Sequence, residues 1–154
     1  MVDRKARDEF AGLLRHLVTG QITNDEFENR APLSSKDLAI FEIWWLAAWP
    51  LYDDFDEHTL TEEYRASDDE RREIAKCVLF LKTDQEYQWP RHSTLKAFLM
   101  DLKFLVSFGC AGVYSSKELL DATAGDLEVW PFIHPKDLET ARRQPSYLAG
   151  GKRT

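Results

Sequence analysis

One carboxylate lies in the most apolar stretch of the chain. Glu42 is the only charged residue in the range 38–52, where nearly every other side chain is apolar. A carboxyl group that is buried without a cation has a raised pKa, and such groups serve as general acids or bases in enzymes. The structural alternative places Glu42 on the one solvent-facing stripe of a helix or against an arginine. Both interpretations stay open at the level of sequence.

Aromatic side chains cluster around three Trp-Pro dipeptides, at Trp49, Trp89 and Trp130. Proline disfavours helical geometry at the preceding residue, so each dipeptide predicts a rigid corner packed on the core. The functional alternative is an aromatic pocket or recognition surface whose polar groups are one carboxylate and two histidines. The candidate binding residues are Glu42, Tyr87, Trp89, His92, Trp130, Phe132 and His134.

Spacing argues against a metal site or a covalent nucleophile. Six acidic residues crowd the range 53–63, but the EF-hand pattern of alternating acids followed by glycine is missing. The four histidines lack the H-x-x-x-H and H-E-x-x-H spacings of zinc sites. Cys77 falls on an apolar helix face, and Cys110 has no adjacent histidine or acid. We therefore expect no metal and no cofactor, and we assign no catalytic residue. Whether the protein is an enzyme stays open, and the sequence favours a protein that is not.

Charge and hydropathy restrict the class of partner. The 154 residues include 20 basic and 27 acidic side chains, a net charge of −7 at pH 7, which weighs against binding to phosphate backbones. The range 131–154 is locally basic but lacks the aromatic array of a nucleic-acid interface. No apolar run reaches the roughly 20 residues of a membrane span, and the charged amino terminus lacks the apolar region of a signal peptide. We expect a cytoplasmic protein whose partner is another protein or a second copy, rather than nucleic acid or a membrane.

Apolar spacing indicates helices throughout the chain. No segment of strict alternation longer than a few residues occurs, and Asn-Gly and Asp-Gly hairpin turns are missing. We predict an all-α fold, a single-domain bundle of about six to seven helices over residues 1–148. It comprises a helical hairpin at 1–30 and core helices at 34–144, and a mobile tail follows at 149–154.

The residues that start and end the first helices can be identified from the sequence. An amphipathic helix is predicted over 3–19, and Gly20 is the left-handed residue that ends it. Thr23 and Ser67 are each followed by a glutamate three residues later, which predicts a capping box at the start of a helix.

The third helix is expected at the centre of the bundle because it is apolar nearly all round. Ser34 is its predicted N-cap, with the two flanking leucines in contact, and Pro50 is predicted to disturb or end it. Further helices are predicted over about 95–109 and 114–125. The last helix is predicted to start at His134-Pro135.

The segment 14–27 has the pattern L-x-x-L-x-x-G-x-I-T-x-x-E-F, from Leu14 to Phe27. It resembles the SHOCT motif, a short helical hairpin of the form L-x-x-G-x-I-T-x-x-E-F. That motif usually lies at a carboxyl terminus as an appendage, whereas here it leads the chain. The resemblance implies an interaction or packing role and brings no catalytic residue. The remainder of the chain resembles bacterial proteins of unknown function.

These observations favour a non-enzymatic protein–protein interaction or regulatory module, which binds another protein or associates with itself. The alternative is a small-ligand-binding protein or enzyme with a polar site in an aromatic helical core. The two differ in geometry. The alternative requires Glu42 and the histidines to converge, whereas an interaction module requires a contiguous exposed apolar patch.

Overall fold

The computed structural model describes residues 1–53, 55–90 and 124–144. Within these ranges the chain forms five α-helices and no β-strand, which confirms the all-α class. His92, Cys110, the helix predicted over 95–109, most of the one over 114–125 and the tail at 149–154 lie outside the described residues. The total of six to seven helices and the single domain therefore stay predictions. The helices are α1 (Arg4–Val18), α2 (Asn24–Arg30), α3 (Leu38–Ile43), α4 (Asp68–Leu81) and α5 (Pro135–Arg142).

The amino-terminal hairpin forms as predicted. Gly20 has a φ of +68°, the left-handed conformation that ends α1. The capping box of α2 is present, with the Glu26 backbone N–H donating to Thr23 Oγ1 at 3.1 Å and the Thr23 backbone N–H donating to the Glu26 carboxylate at 3.4 Å. The rings of Phe10 and Phe27 lie 5.9 Å apart, so α2 packs on α1 of its own chain.

Helix α4 runs antiparallel to α1, and the two share the core. The predicted capping box at Ser67 is present, and Cys77 is buried as expected. At the other end of α4, Arg4 of α1 donates to the carbonyl oxygens of Leu81 and Thr83, which supplies partners for the last carbonyls of a helix. Core side chains of the two helices include Phe10, Leu14, Leu17, Ile74, Val78 and Leu81.

A buried ion pair joins the starts of α1 and α3. Arg7, with none of its surface exposed, donates from Nε to Asp37 Oδ2 at 2.6 Å and from Nη2 to Asp37 Oδ1 at 3.0 Å. Asp37 also accepts the backbone N–H of Ala39, so it is the N-cap of α3. The prediction that Ser34 caps this helix is therefore wrong. The reason is that an ionised carboxylate makes a stronger hydrogen bond to a helix N-terminus than a serine hydroxyl does, and Arg7 fixes the position of this carboxylate.

Helix α3 is short because the backbone changes its hydrogen-bond pattern at residue 44. A π-helical turn covers Trp44–Ala48, and a 3₁₀ turn covers Trp49–Leu51 and contains Pro50. The predicted disturbance at Pro50 is confirmed. The segment is not buried on every side, however, because Phe41 and Trp45 are exposed to solvent.

The last helix, α5, packs against α4 through Leu138 and Ala141. It begins at Pro135 with His134 in the N-cap position, as predicted. A proline at the first helical position removes a backbone N–H that would have no intrahelical acceptor.

Candidate functional site

Four of the seven candidate residues lie together beneath the surface. Trp89 Nε1 donates to the carbonyl oxygens of Pro131 and Phe132, both at 3.2 Å, and Trp130 Nε1 donates to the Tyr87 hydroxyl at 3.1 Å. Trp89, Trp130 and Phe132 are buried, and Tyr87 is partly buried. Their indole N–H groups bind acceptors within the cluster. The cluster thus has the geometry of packed corners rather than of an open recognition groove.

Glu42 is coupled to this cluster from α3. Its exposed fraction is 8%, so the interpretation that it lies on a solvent-facing stripe is wrong. Burial raises the pKa of the Tyr87 phenol far above its ordinary value; the Trp130 N–H opposes that shift, and the Glu42 carboxylate adds to it. Tyr87 therefore stays neutral at physiological pH and acts as a hydrogen-bonding group.

Glu42 and His134, two polar members of the candidate set, differ in exposure. His134 is exposed at the start of α5, whereas Glu42 is buried in α3. His92 lies outside the described residues. The convergence that an acid–base site would require is therefore not shown for either histidine.

A cleft of about 200 Å³ opens beside the aromatic cluster. Small-molecule pockets usually measure roughly 300–1,000 Å³ and have mainly apolar linings. This cleft is smaller, and most of its lining side chains are polar. Its lining residues are Phe80, Gln85, Glu86, Gln88, Pro131, Ile133 and Asp137.

An aromatic face lies on α3 and the turns that follow, formed by Phe41, Trp44, Trp45 and Trp49. Phe41 is 49% exposed and Trp45 is 40% exposed, although both are large apolar side chains. The rings of Trp45 and Trp49 are stacked, with centroids 6.0 Å apart and planes at 25°. Trp44 contacts each of the other three rings, at centroid distances between 5.1 and 6.4 Å. The aromatic face is thus one continuous patch.

The π-helical turn explains how three tryptophans come together. In such a turn the hydrogen bond spans five residues, and the backbone N–H of Trp49 donates to the carbonyl of Trp44. Trp49 consequently lies over Trp44, and the two ring centroids are 5.1 Å apart. Such π-helical segments within α-helices occur frequently at functional sites.

An acidic loop follows the aromatic face along the chain; it comprises Asp53 and residues 55–58. Asn24 holds this loop to the start of α2, because its side-chain amide donates to the carbonyls of Asp53 and Asp56 and accepts the backbone N–H of His58. Phe55, at the tip, is 92% exposed. The loop therefore displays an apolar ring between carboxylates.

More carboxylates surround this loop. Thr23 Oγ1 donates to Glu57 at 2.8 Å, and Thr23 pairs with Thr59 in an isolated β-bridge, so residues 57–59 lie against the start of α2. We call the exposed carboxylates of this region the acidic rim: Asp25, Glu26, Asp53, Asp56, Glu57, Glu62 and Glu63.

Neither a metal centre nor a membrane span is found in the described ranges. No group of three or more histidine, cysteine or acidic side chains within them is placed to hold a metal ion. Similarly, no helix there is both long and apolar enough to cross a lipid bilayer.

Comparison of the chain with family models, curated proteins and solved structures finds no significant match. The resemblance of residues 14–27 to the SHOCT motif therefore stays a prediction.

The aromatic face was missing from the candidate residues, yet the sequence carries a signal for it. Phe41, Trp45 and Trp49 recur every four residues, which places them on one face of a helix. A helix that is apolar all round has two interpretations: burial on every side, or one face that is open to a partner. The exposure of Phe41 and Trp45 excludes burial on every side.

Proposed function

We propose that the chain is a protein–protein interaction module whose docking surface is the aromatic face. The observation that carries this proposal is the exposure of Phe41 and Trp45 within a continuous patch of four aromatic rings. Contiguous exposed apolar patches mark interaction sites in soluble proteins. Tryptophan is also among the residues most enriched at the energetic centres of interfaces.

The stacked arrangement supports docking because it limits the entropic cost of binding. Trp45 is held against Trp49, and Trp49 is held against Trp44 and Tyr52. Side chains that are fixed before binding lose little rotamer freedom when a partner arrives. The same proposal includes a regulatory role, in which the chain acts on its partner by binding it through the aromatic face.

The alternative, a small-ligand site or an enzyme, has weaker support. The aromatic cluster around Trp89 and Trp130 is closed by its own hydrogen bonds, and the adjacent cleft is small. We further propose a cytoplasmic location in a bacterium, on the basis of the resemblance of the chain to bacterial proteins.

A photo-crosslinking amino acid placed at position 45 tests the proposal in the source cell. The matched control carries it at position 139, where Glu139 is exposed on α5. We expect a discrete protein adduct from position 45 and none from position 139. The captured protein, once purified, should bind the unmodified chain about tenfold more tightly than the Phe41→Ser and Trp45→Ser variants. Equal adducts from both positions, or binding that neither substitution weakens, would show that the aromatic face is not a docking surface.

A further inference from the structure

The aromatic face leads into the acidic rim at Asp53. Trp49 contacts the Tyr52 ring edge-on, with centroids 6.1 Å apart, and Asp53 of the acidic loop is the next residue. Tyr52 in turn contacts Phe27 of α2, at 6.2 Å, so the base of the loop is anchored in the core. A partner long enough to cover the aromatic face therefore meets carboxylates at its edge.

The loop is fixed in place before any partner binds. Asn24 is itself buried and makes four hydrogen bonds to the loop, three through its side-chain amide and one from its backbone N–H to the His58 carbonyl at 3.0 Å. The residues Asp53 and Asp56, which bracket Phe55 in the sequence, are thus tied to Asn24. Phe55 is 92% exposed and is followed by the exposed Asp56, so an apolar side chain and a negative charge are neighbours in the loop.

On this basis, and resting on the proposed function, we propose that the partner is a basic polypeptide segment with apolar anchors. Its leucine, isoleucine or aromatic side chains pack on the aromatic face and on Phe55, and its lysines and arginines meet the acidic rim. Charge complementarity supports this partner. The exposed carboxylate of Asp53 follows the aromatic face along the chain, and the acidic rim continues from it through Asp56 and Glu57. Opposite charge on the partner raises the association rate and excludes acidic competitors.

The same charge argues against a second copy as the occupant. In a symmetric dimer each surface patch meets or adjoins its own copy, so the two acidic rims would lie at the edges of one interface. Like charges at an interface are unfavourable, and the whole chain carries a net charge of −7. An anionic membrane surface would be repelled for the same reason.

Three fluorescent synthetic peptides provide the probe. The first repeats the unit Leu-Lys-Lys-Leu, the second has glutamate in place of lysine, and the third has serine in place of leucine. Binding to the full chain is measured by fluorescence anisotropy at about 0.05 M and about 0.5 M salt, because salt screens exposed charges. We expect the first peptide to bind about tenfold more tightly than either of the others at low salt, and to lose much of that advantage at high salt.

Substitutions test the acidic and the apolar parts of the surface separately. The triple variant Asp53→Asn, Asp56→Asn, Glu57→Gln should weaken binding about tenfold at low salt and flatten the salt dependence. A control with the same change in net charge but at distant exposed sites, Glu9→Gln, Asp68→Asn, Glu139→Gln, should change binding by less than about twofold. Phe55→Ser should weaken binding without affecting the fold, because the side chain is exposed.

The outcomes separate this inference from the proposed function. If Trp45→Ser loses peptide binding but the triple loop variant binds as tightly as the unmodified chain, the aromatic face remains the docking surface and the proposal of a basic partner fails. Equal effects of the loop variant and its control, or equal binding of the glutamate peptide, would overturn it as well. A dimer at pH 7 that Trp45→Ser dissociates would assign the surface to a second copy. Binding that neither Trp45→Ser nor the loop variant weakens would refute both proposals.

Discussion

At the scale of single residues, the buried Arg7 side chain contacts three parts of the fold. Its guanidinium makes two hydrogen bonds to Asp37, donates to the carbonyls of Thr83 and Gln85, and lies over the Phe80 ring at 5.3 Å. One side chain thereby connects α1, the start of α3 and the segment after α4. Removal of the guanidinium would leave a carboxylate and two carbonyls buried without this donor.

We therefore expect Arg7→Met to lower the free energy of unfolding by about 3–5 kcal/mol, since breaking one side of a buried ion pair leaves the other charge without compensation. Urea denaturation followed by circular dichroism measures the change. Lys5→Met removes one positive charge from an exposed site on the same helix and serves as the control. A loss in Arg7→Met no larger than in this control would mean that the pair contributes little.

The same pair predicts how stability depends on pH. Burial raises the pKa of Asp37, but hydrogen bonds from Arg7 and from the backbone of Asp3 and Ala39 outweigh it, so the pKa lies below its ordinary value. The stability that the ionised carboxylate contributes is present above its unfolded pKa of about 4 and is lost as the pH falls through the lower folded pKa. Acid should therefore destabilise the protein increasingly below about pH 4.

Asp37→Asn tests this dependence because asparagine retains the N-cap of α3 but cannot ionise. The variant should be less stable at pH 7 and should lose less of its remaining stability between about pH 4 and pH 2. Asp8, whose pKa is also lowered, by Lys82 and Arg4 against the effect of burial, accounts for part of the residual slope. Parallel pH profiles for Asp37→Asn and the unmodified chain would contradict the assignment.

At the scale of elements, Gly12 and Gly20 lie on the same hairpin but have opposite requirements. Gly20 has a φ of +68°, and a Cβ there would approach Thr61 Cγ2 to 2.4 Å. Gly12 lies inside α1, and a Cβ there meets nothing within 4 Å. Gly20→Ala should therefore lower the free energy of unfolding by about 1–2 kcal/mol, and Gly12→Ala should raise it by about 0.5–1 kcal/mol. Thermal denaturation of both variants checks the signs, and a stabilised Gly20→Ala would refute the left-handed turn.

Helix starts and stops were predicted well where they depend on residues that are close in sequence. The capping boxes at Thr23 and Ser67, the stop at Gly20 and the proline start of α5 each depend on a few neighbouring residues. The start of α3 was predicted wrongly because Asp37 is selected by Arg7, which is 30 residues away in sequence. The π-helical turn was not predicted either, since no spacing rule for it was available in the sequence.

At the scale of the whole molecule, the solvent exposure of individual side chains could not be predicted from the sequence. The alternation of apolar and polar residues predicts which side chains share a face, but not whether another element covers that face. Glu42 and Trp45 illustrate this limit: the charged residue is buried and the indole is 40% exposed. Four candidate residues, Tyr87, Trp89, Trp130 and Phe132, lie together, but their role in binding stays a prediction, and the aromatic face was assigned to the core.

We expect net charge and the aromatic face together to determine whether copies of the chain associate. A net charge of −7 at pH 7 opposes the approach of two copies, and this repulsion should be smallest near the sequence pI of about 5.1. We expect multi-angle light scattering to give the monomer mass at pH 7 and a larger mass near pH 5, where Asp37 is still ionised and the fold intact. The variant Phe41→Ser, Trp45→Ser should remain monomeric at both values, because it lacks the two most exposed rings of the face. If this variant associates equally near pH 5, another surface mediates the association and the aromatic face does not.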